Sequence, residues 1–136
     1  MLQFEEQRLR LEGYRDEIAD LGDALGIDMA TKEIASLEEQ SAAAGFWDDL
    51  ANSQKILQRI SQLKSRVADY SALRREYDDA LTLIELADEE EDESLLDEVR
   101  EGVDAVVKRA DAMRLTTLLS GEYDSKNAIL TFHAGA

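Results

Sequence analysis

Proline is absent from the 136 residues, and so is cysteine. An interior proline costs a helix about 3 kcal/mol, so its absence leaves long unbroken helices open to this chain. Without cysteine there are no disulfides and no thiolate metal sites, which fits a reducing compartment. Aromatic residues make up only 6% of the sequence, with Trp47 the single tryptophan, and His133 is the single histidine. No apolar run approaches the roughly 20 residues needed to cross a bilayer. The opening Met1-Leu2-Gln3-Phe4-Glu5-Glu6 places acids where a signal peptide carries bases, so a cytoplasmic chain with no membrane segment is expected. Positive charge is scarce too: 15 Lys and Arg stand against 31 Asp and Glu, a net charge of -16. Phosphate is repelled by such a surface, so the chain is expected to bind nucleic acid poorly and to meet protein instead.

What is present reads as helix. Hydrophobic residues are 44% of the chain, enough for a folded core. Phe4, Leu11, Tyr14, Ile18, Leu21 and Leu25 recur at helical spacing, predicting one helix over about 2–25, with Gly13 and Gly22 each weakening it by roughly 1 kcal/mol. Gly26 and Asp28 then break it. A shorter helix is expected over about 29–43, with Ala30, Ile34 and Leu37 on one side and Gly45 as its stop. The longest covers about 50–87. Its residues Ile56, Ile60, Leu63, Val67 and Tyr70 form a heptad seam, and Leu73, Tyr77, Leu81 and Ile84 continue it with a shift of phase. At 1.5 Å per residue this rod is about 57 Å long, too long for a compact bundle to cover throughout.

Asp88, Glu89, Glu90, Glu91, Asp92 and Glu93 follow, an acidic run that predicts a solvated loop. Ser94 and Asp97 resemble a capping box for a fourth helix reaching about Leu118, with Leu96, Val99, Val103, Val106, Ala110 and Met113 on one face. After it, Ser120 to Asn127 is rich in turn formers, and Ala128 to His133 has the residue types of a strand. One strand is unstable alone. The expected fold is therefore all-α: an elongated antiparallel bundle of about four helices, one very long, over residues 1–118, with residues 119–136 entering a second domain. This tail is expected to be mobile, or to pair between molecules, because its backbone groups lack partners. Charge is uneven, net -7 over both 1–47 and 88–115 but only -1 over 48–87. Solvated faces account for this, and so does a central helix flanked by acidic ones.

Catalytic constellations are missing. His133 has no partner for acid–base work and is read as structural. There is no phosphate-binding glycine motif, and the acids of 88–93 lack the alternation and central glycine of a calcium loop. Neither an enzyme nor a cofactor or metal site is expected. Phe46-Trp47-Asp48-Asp49 sits between a helix stop and a helix start. Asp49 or Asp48 suits the N-terminal cap of the long helix, with Phe46 or Trp47 packing back as a hydrophobic staple. The corner is read as architectural.

Two stretches carry a resemblance. One is Phe46-Trp47-Asp48-Asp49 followed by Gln54-Lys55-Ile56. The other is Leu118-Leu119-Ser120-Gly121-Glu122-Tyr123-Asp124, then Asn127-Ala128-Ile129-Leu130 and His133-Ala134-Gly135-Ala136. Together they resemble the bacterial peptide chain release factors, and the Ser-Gly-Glu-Tyr-Asp stretch favours the release factor 2 type. Relatives often carry proline where this chain has Leu50. The resemblance implies the helical N-terminal domain of a factor that acts on the ribosome at UGA and UAA codons and triggers hydrolysis of peptidyl-tRNA. It implies that Ala136 is followed by Gly-Gly-Thr-Glu-Ala and the rest of the factor. It also implies a place near the GTPase-associated region of the large subunit and a part in recycling with the GTPase release factor. Codon reading by a Ser-Pro-Phe tripeptide and release by a Gly-Gly-Gln loop have no counterpart in these residues. The residues themselves leave a second reading open, a stand-alone acidic helical adaptor or coiled-coil dimer built on the 56–70 seam. The release-factor reading expects a monomer.

Overall fold

A computed structural model describes residues 1–120, and among these every regular element is helical. Five α-helices run in order: α1 (Leu2–Glu12), α2 (Arg15–Ala24), α3 (Ile27–Ser41), α4 (Leu50–Glu90) and α5 (Leu96–Leu119). Short 3-10 turns at Phe46–Asp48 and Glu93–Leu95 precede α4 and α5. The strand-like run 128–133 and the rest of the expected second domain beyond Ser120 lie outside the described residues.

Helix α4 is the spine, 41 residues long and so about 62 Å from end to end. Its partners cover it in two stretches. Along its N-terminal half lies α3, tied by Arg59 to Glu33 at 2.8 Å and Lys64 to Glu38 at 2.9 Å. Further along, α1 and α2 run antiparallel to it. The Met1 ammonium meets Asp88 near its end, while the Tyr70 hydroxyl donates to the Ile18 carbonyl at 3.0 Å. Helix α5 returns antiparallel on another side, where Gly102 faces Ala80 and Arg109 pairs with Glu76. A Cβ on Gly102 would reach the Ala80 Cβ at 3.7 Å, so small residues on both helices allow this close approach. Arg10 with Asp104 (2.5 Å), Tyr14 with Asp111 (3.1 Å) and Arg114 with Glu17 stitch α1 and α2 along α5 in parallel.

The core fills the space between these helices. Phe4, Leu11, Leu73, Ile84, Val99, Val103 and Val106 are fully buried. On α4 the buried residues include Ile60, Leu63, Tyr70, Leu73, Tyr77, Ala80, Ile84 and Ala87. Half-buried Val67 lies between Leu63 and Tyr70. Two successive steps of three, Val67 to Tyr70 to Leu73, mark the phase shift as a three-residue insertion into the heptad pattern. Beyond it the regular alternation of four and three resumes through Leu73, Tyr77, Ala80, Ile84 and Ala87, so Ala80 rather than Leu81 takes the core position.

Several boundaries differ from the sequence reading, each for a local reason. The expected first helix divides at Gly13-Tyr14, where the Tyr14 N–H turns to the Leu11 carbonyl at 2.9 Å and α2 restarts. Its apolar face survives the break, since Phe4, Leu11, Ile18, Leu21 and Leu25 all remain buried. Among the described residues the count is thus five helices rather than about four. Gly26 takes the left-handed conformation, φ 63°, and α3 starts directly after it. Helix α3 ends at Ser41, before Gly45, which opens the next turn instead of stopping this helix. Nor is the acidic run all loop. Helix α4 continues through Asp88, Glu89 and Glu90, helped by the Met1 ammonium and Arg8 at Asp88. Finally, Ser94 does not cap α5: Leu95 stands at its N-terminus without a side-chain cap, and Asp92 caps the 3-10 turn that precedes it. The Asp92 carboxylate accepts from the Ser94 N–H at 3.0 Å and the Ser94 hydroxyl at 2.5 Å, forming an Asx turn.

Candidate functional site

The corner between α3 and α4 is built from its backbone outward. Gly45 has φ 82°, a left-handed conformation that glycine adopts without steric cost. The 3-10 turn Phe46–Asp48 follows, and Asp49 is extended at φ -110° and ψ 93°. From there its carboxylate accepts the Asn52 N–H at 3.1 Å, satisfying one of the unpaired donors at the start of α4. Of the two capping candidates, Asp49 is the one so engaged. Ser53, fully buried, completes the corner: its hydroxyl shares one proton between the Phe46 carbonyl at 2.5 Å and the Asp49 carbonyl at 2.9 Å.

The two aromatic residues part company here. Phe46 is 8% exposed and is the one that packs inward. Trp47 is 63% exposed and meets Phe46 edge to face, with ring centroids 5.1 Å apart. Leu50, where relatives often have proline, and Leu57 are exposed as well. Seven residues apart, they share one face of α4. The corner therefore shows solvent an indole and apolar side chains beside the exposed carboxylates of Asp48 and Asp49. Ser53 bonds only to carbonyls, with no base to take its proton.

The second motif stands elsewhere. Ser120 follows the last turn of α5 in extended conformation, its N–H bonded to the Thr116 carbonyl at 3.0 Å. Gly121, Glu122, Tyr123 and Asp124 lie outside the described residues. Thr116 and Arg66 line one small cleft, and α4 rises about 20 Å between Ser53 and Arg66. The corner and the end of α5 are thus at separate levels of the spine. His133 is likewise outside the described residues. Among the described residues no group of three or more His, Cys, Asp or Glu side chains is placed to hold a metal ion, and no helix is long and apolar enough to cross a membrane.

The sequence reading missed Ser53. A signal was available, since Ser53 precedes Ile56, Ile60 and Leu63 on the seam, so a hydroxyl there falls inward and must find acceptors. It also missed the cleft between α2 and α4 where Arg15, Arg74 and Tyr77 meet. That grouping joins residues far apart in the chain and has no local signature.

The PCRF domain matches residues 30–136. The chain belongs to this family. Among similar curated proteins, peptide chain release factor 2 of Clostridium perfringens (strain SM101 / Type A) is 35% identical over 135 residues, covering 99% of this chain and 37% of that protein. Peptide chain release factor 2 of Streptomyces avermitilis is 43% identical over 112 residues, 82% of this chain and 30% of the relative. That of Salinispora tropica is 37% identical over 130 residues, 90% and 35% respectively. The chain spans about a third of the length of these relatives. No solved structure gave a significant match.

Proposed function

We propose that this chain is the helical N-terminal domain of a translation termination factor of the release factor 2 type, working in the cytoplasm on the ribosome. The observation that carries this reading is the match to release factor 2 over 99% of the chain but 37% of the relative. In this reading residues 1–118 form the domain and residues 119–136 lead into the next one. The chain itself catalyses nothing. Recognition of UGA and UAA and hydrolysis of peptidyl-tRNA belong to the remainder of the factor, which carries the codon-reading and release motifs that these residues lack.

Docking is assigned to the GTPase-associated region of the large subunit, with the GTPase release factor as a further partner. Two features support a protein contact over bare RNA. The net charge is -16, which opposes phosphate and favours a basic protein. The exposed Trp47 and Leu50 beside Asp48 and Asp49 supply an aromatic anchor with an acidic rim, the anatomy of a recognition surface. A hydroxyl-radical probe tethered at a cysteine introduced at exposed Ala51, beside the corner but outside its anchor, tests this on isolated large subunits. Cleavage confined to ribosomal RNA of the GTPase-associated region is expected. Absence of binding, or cleavage elsewhere on the subunit, would remove the docking assignment.

The alternative, a stand-alone acidic adaptor or coiled-coil dimer, needs a free seam on α4. In the monomer that seam is largely covered: Ile60, Leu63 and Tyr70 are buried within the single chain. This favours a monomer.

A further inference from the structure

Three leucines crowd the last turns of α5. Leu115, Leu118 and Leu119 are 56%, 66% and 76% exposed, and no other stretch of five described residues shows solvent three large apolar side chains. The helix is nonetheless seated on its neighbours here. Thr117 is buried, and Arg114 holds Glu17 of α2. Beside Leu118 a groove of about 520 Å³ opens between α2 and α5, lined also by Leu21 and Ala24. Leu21 belongs to the buried core, so apolar surface runs from the core out to the leucines. Scattered exposed leucines need no explanation, but a contiguous apolar patch marks a contact surface.

We propose that Leu115, Leu118 and Leu119, with the groove beside them, form the seat of the domain that follows in the parent factor; the inference rests on the release-factor reading. Three observations select this occupant. The helix ends at the patch itself, where Ser120 turns extended directly after Leu119. The PCRF match spans residues 30–136 and so continues past the end of α5. The chain matches release factor 2 over 99% of its own length but only 37% of that relative, which leaves sequence enough for a further domain. A domain tethered beside the patch meets it at high effective concentration, so a modest apolar contact suffices to hold it. A second copy of the chain would have to find the same patch without a tether.

Hydroxyl-radical footprinting read by mass spectrometry leaves the patch unaltered and compares the 136-residue chain with the parent factor. In the parent, modification of Leu115, Leu118 and Leu119 is expected to slow at least about fivefold, because a packed interface core excludes solvent. Trp47, at the distant corner, should keep its rate. The double variant L115Q/L118Q should melt within about 4 °C of the native 136-residue chain, since both side chains are exposed. In the parent it should return Leu119 to within about twofold of its rate in the short chain. Equal rates at the leucines in both proteins would overturn the proposal and leave the release-factor reading standing. So would protection of Leu119 that survives L115Q/L118Q. Protection already present in the short chain would also overturn it, assigning the patch to a second copy if it grows with concentration and to the chain's own last residues if it does not. A parent reading frame that stops after Ala136 would remove the release-factor reading and this inference with it.

Discussion

Gly22 packs directly against the Tyr70 side chain. A Cβ on Gly22 would stand 2.5 Å from the Tyr70 hydroxyl oxygen and 2.7 Å from its ring carbon. That ring is held by its hydrogen bond to Ile18, and burial pushes the Tyr70 phenol above its ordinary acidity range. Glycine inside a helix ordinarily weakens it by about 1 kcal/mol relative to alanine. Here the sign should reverse. Gly22→Ala is expected to destabilise the fold by about 1–3 kcal/mol, the usual cost of overpacking, measured by urea unfolding. A gain in stability would mean that the Tyr70 ring moves aside freely. At Trp47 the expectation is opposite. The side chain is 63% exposed, so Trp47→Ala should change stability by less than about 0.5 kcal/mol while weakening attachment to large subunits. A large loss of stability would make the indole part of the corner's architecture.

Element ends show how a chain without proline terminates its helices. Glu91 has φ 52° and ψ 40° at the end of α4, the only non-glycine left-handed residue among those described. The Glu91 N–H reaches the Asp88 carbonyl at 3.1 Å and the Asp92 N–H reaches the Ala87 carbonyl at 3.0 Å. This is a Schellman closure with glutamate in the place that glycine usually takes. The left-handed conformation costs a non-glycine residue about 1–2 kcal/mol. Glu91→Gly should recover about 1 kcal/mol of this, raising the melting temperature by about 4 °C. An unchanged or lower melting temperature would show that the glutamate carries a compensating contact. The split between α1 and α2 belongs to the same scale. Periodicity carries straight through residues 11–25, so the apolar face was legible in the sequence. The break was not, because it depends on one backbone hydrogen bond, from Tyr14 to Leu11.

For the molecule as a whole, charge and assembly are the tests. The N-terminal ammonium hydrogen-bonds Asp88 and holds its carboxyl below the ordinary value of 3.8, with Arg8 adding to the effect and partial burial opposing it. The Arg59 hydrogen bond likewise holds Glu33 below 4.5. A depressed folded value means stability that is fully present above these ordinary values and is lost as pH falls through the lower, folded ones. Acidification also relieves the mutual repulsion of the other acids, so the difference between two proteins is the clean measure. The melting-temperature gap between the native chain and D88N/E33Q should be constant from pH 7 to 5 and close progressively below about pH 4.5. A gap that persists unchanged to pH 2.5 would show that neither pair is linked to folding. Sedimentation equilibrium should return the monomer mass of 15.2 kDa, since the α4 seam is covered within one chain. A stable dimer would restore the coiled-coil reading.

Local regularities in this chain were readable without a structure. Helical periodicity predicted the all-α class, the absence of proline permitted the long α4, and two short motifs pointed to the release-factor family. Each rests on residues close in sequence or on short-range backbone chemistry. Tertiary structure decided what depends on distance between helices. It chose Phe46 over Trp47 for burial and drew Ser53 into the corner. It carried α4 through Asp88 by bringing the Met1 ammonium to it, and it assembled Arg15, Arg74 and Tyr77 around one cleft. Those outcomes follow from packing between segments as much as 87 residues apart, and no local pattern encodes which surfaces will meet.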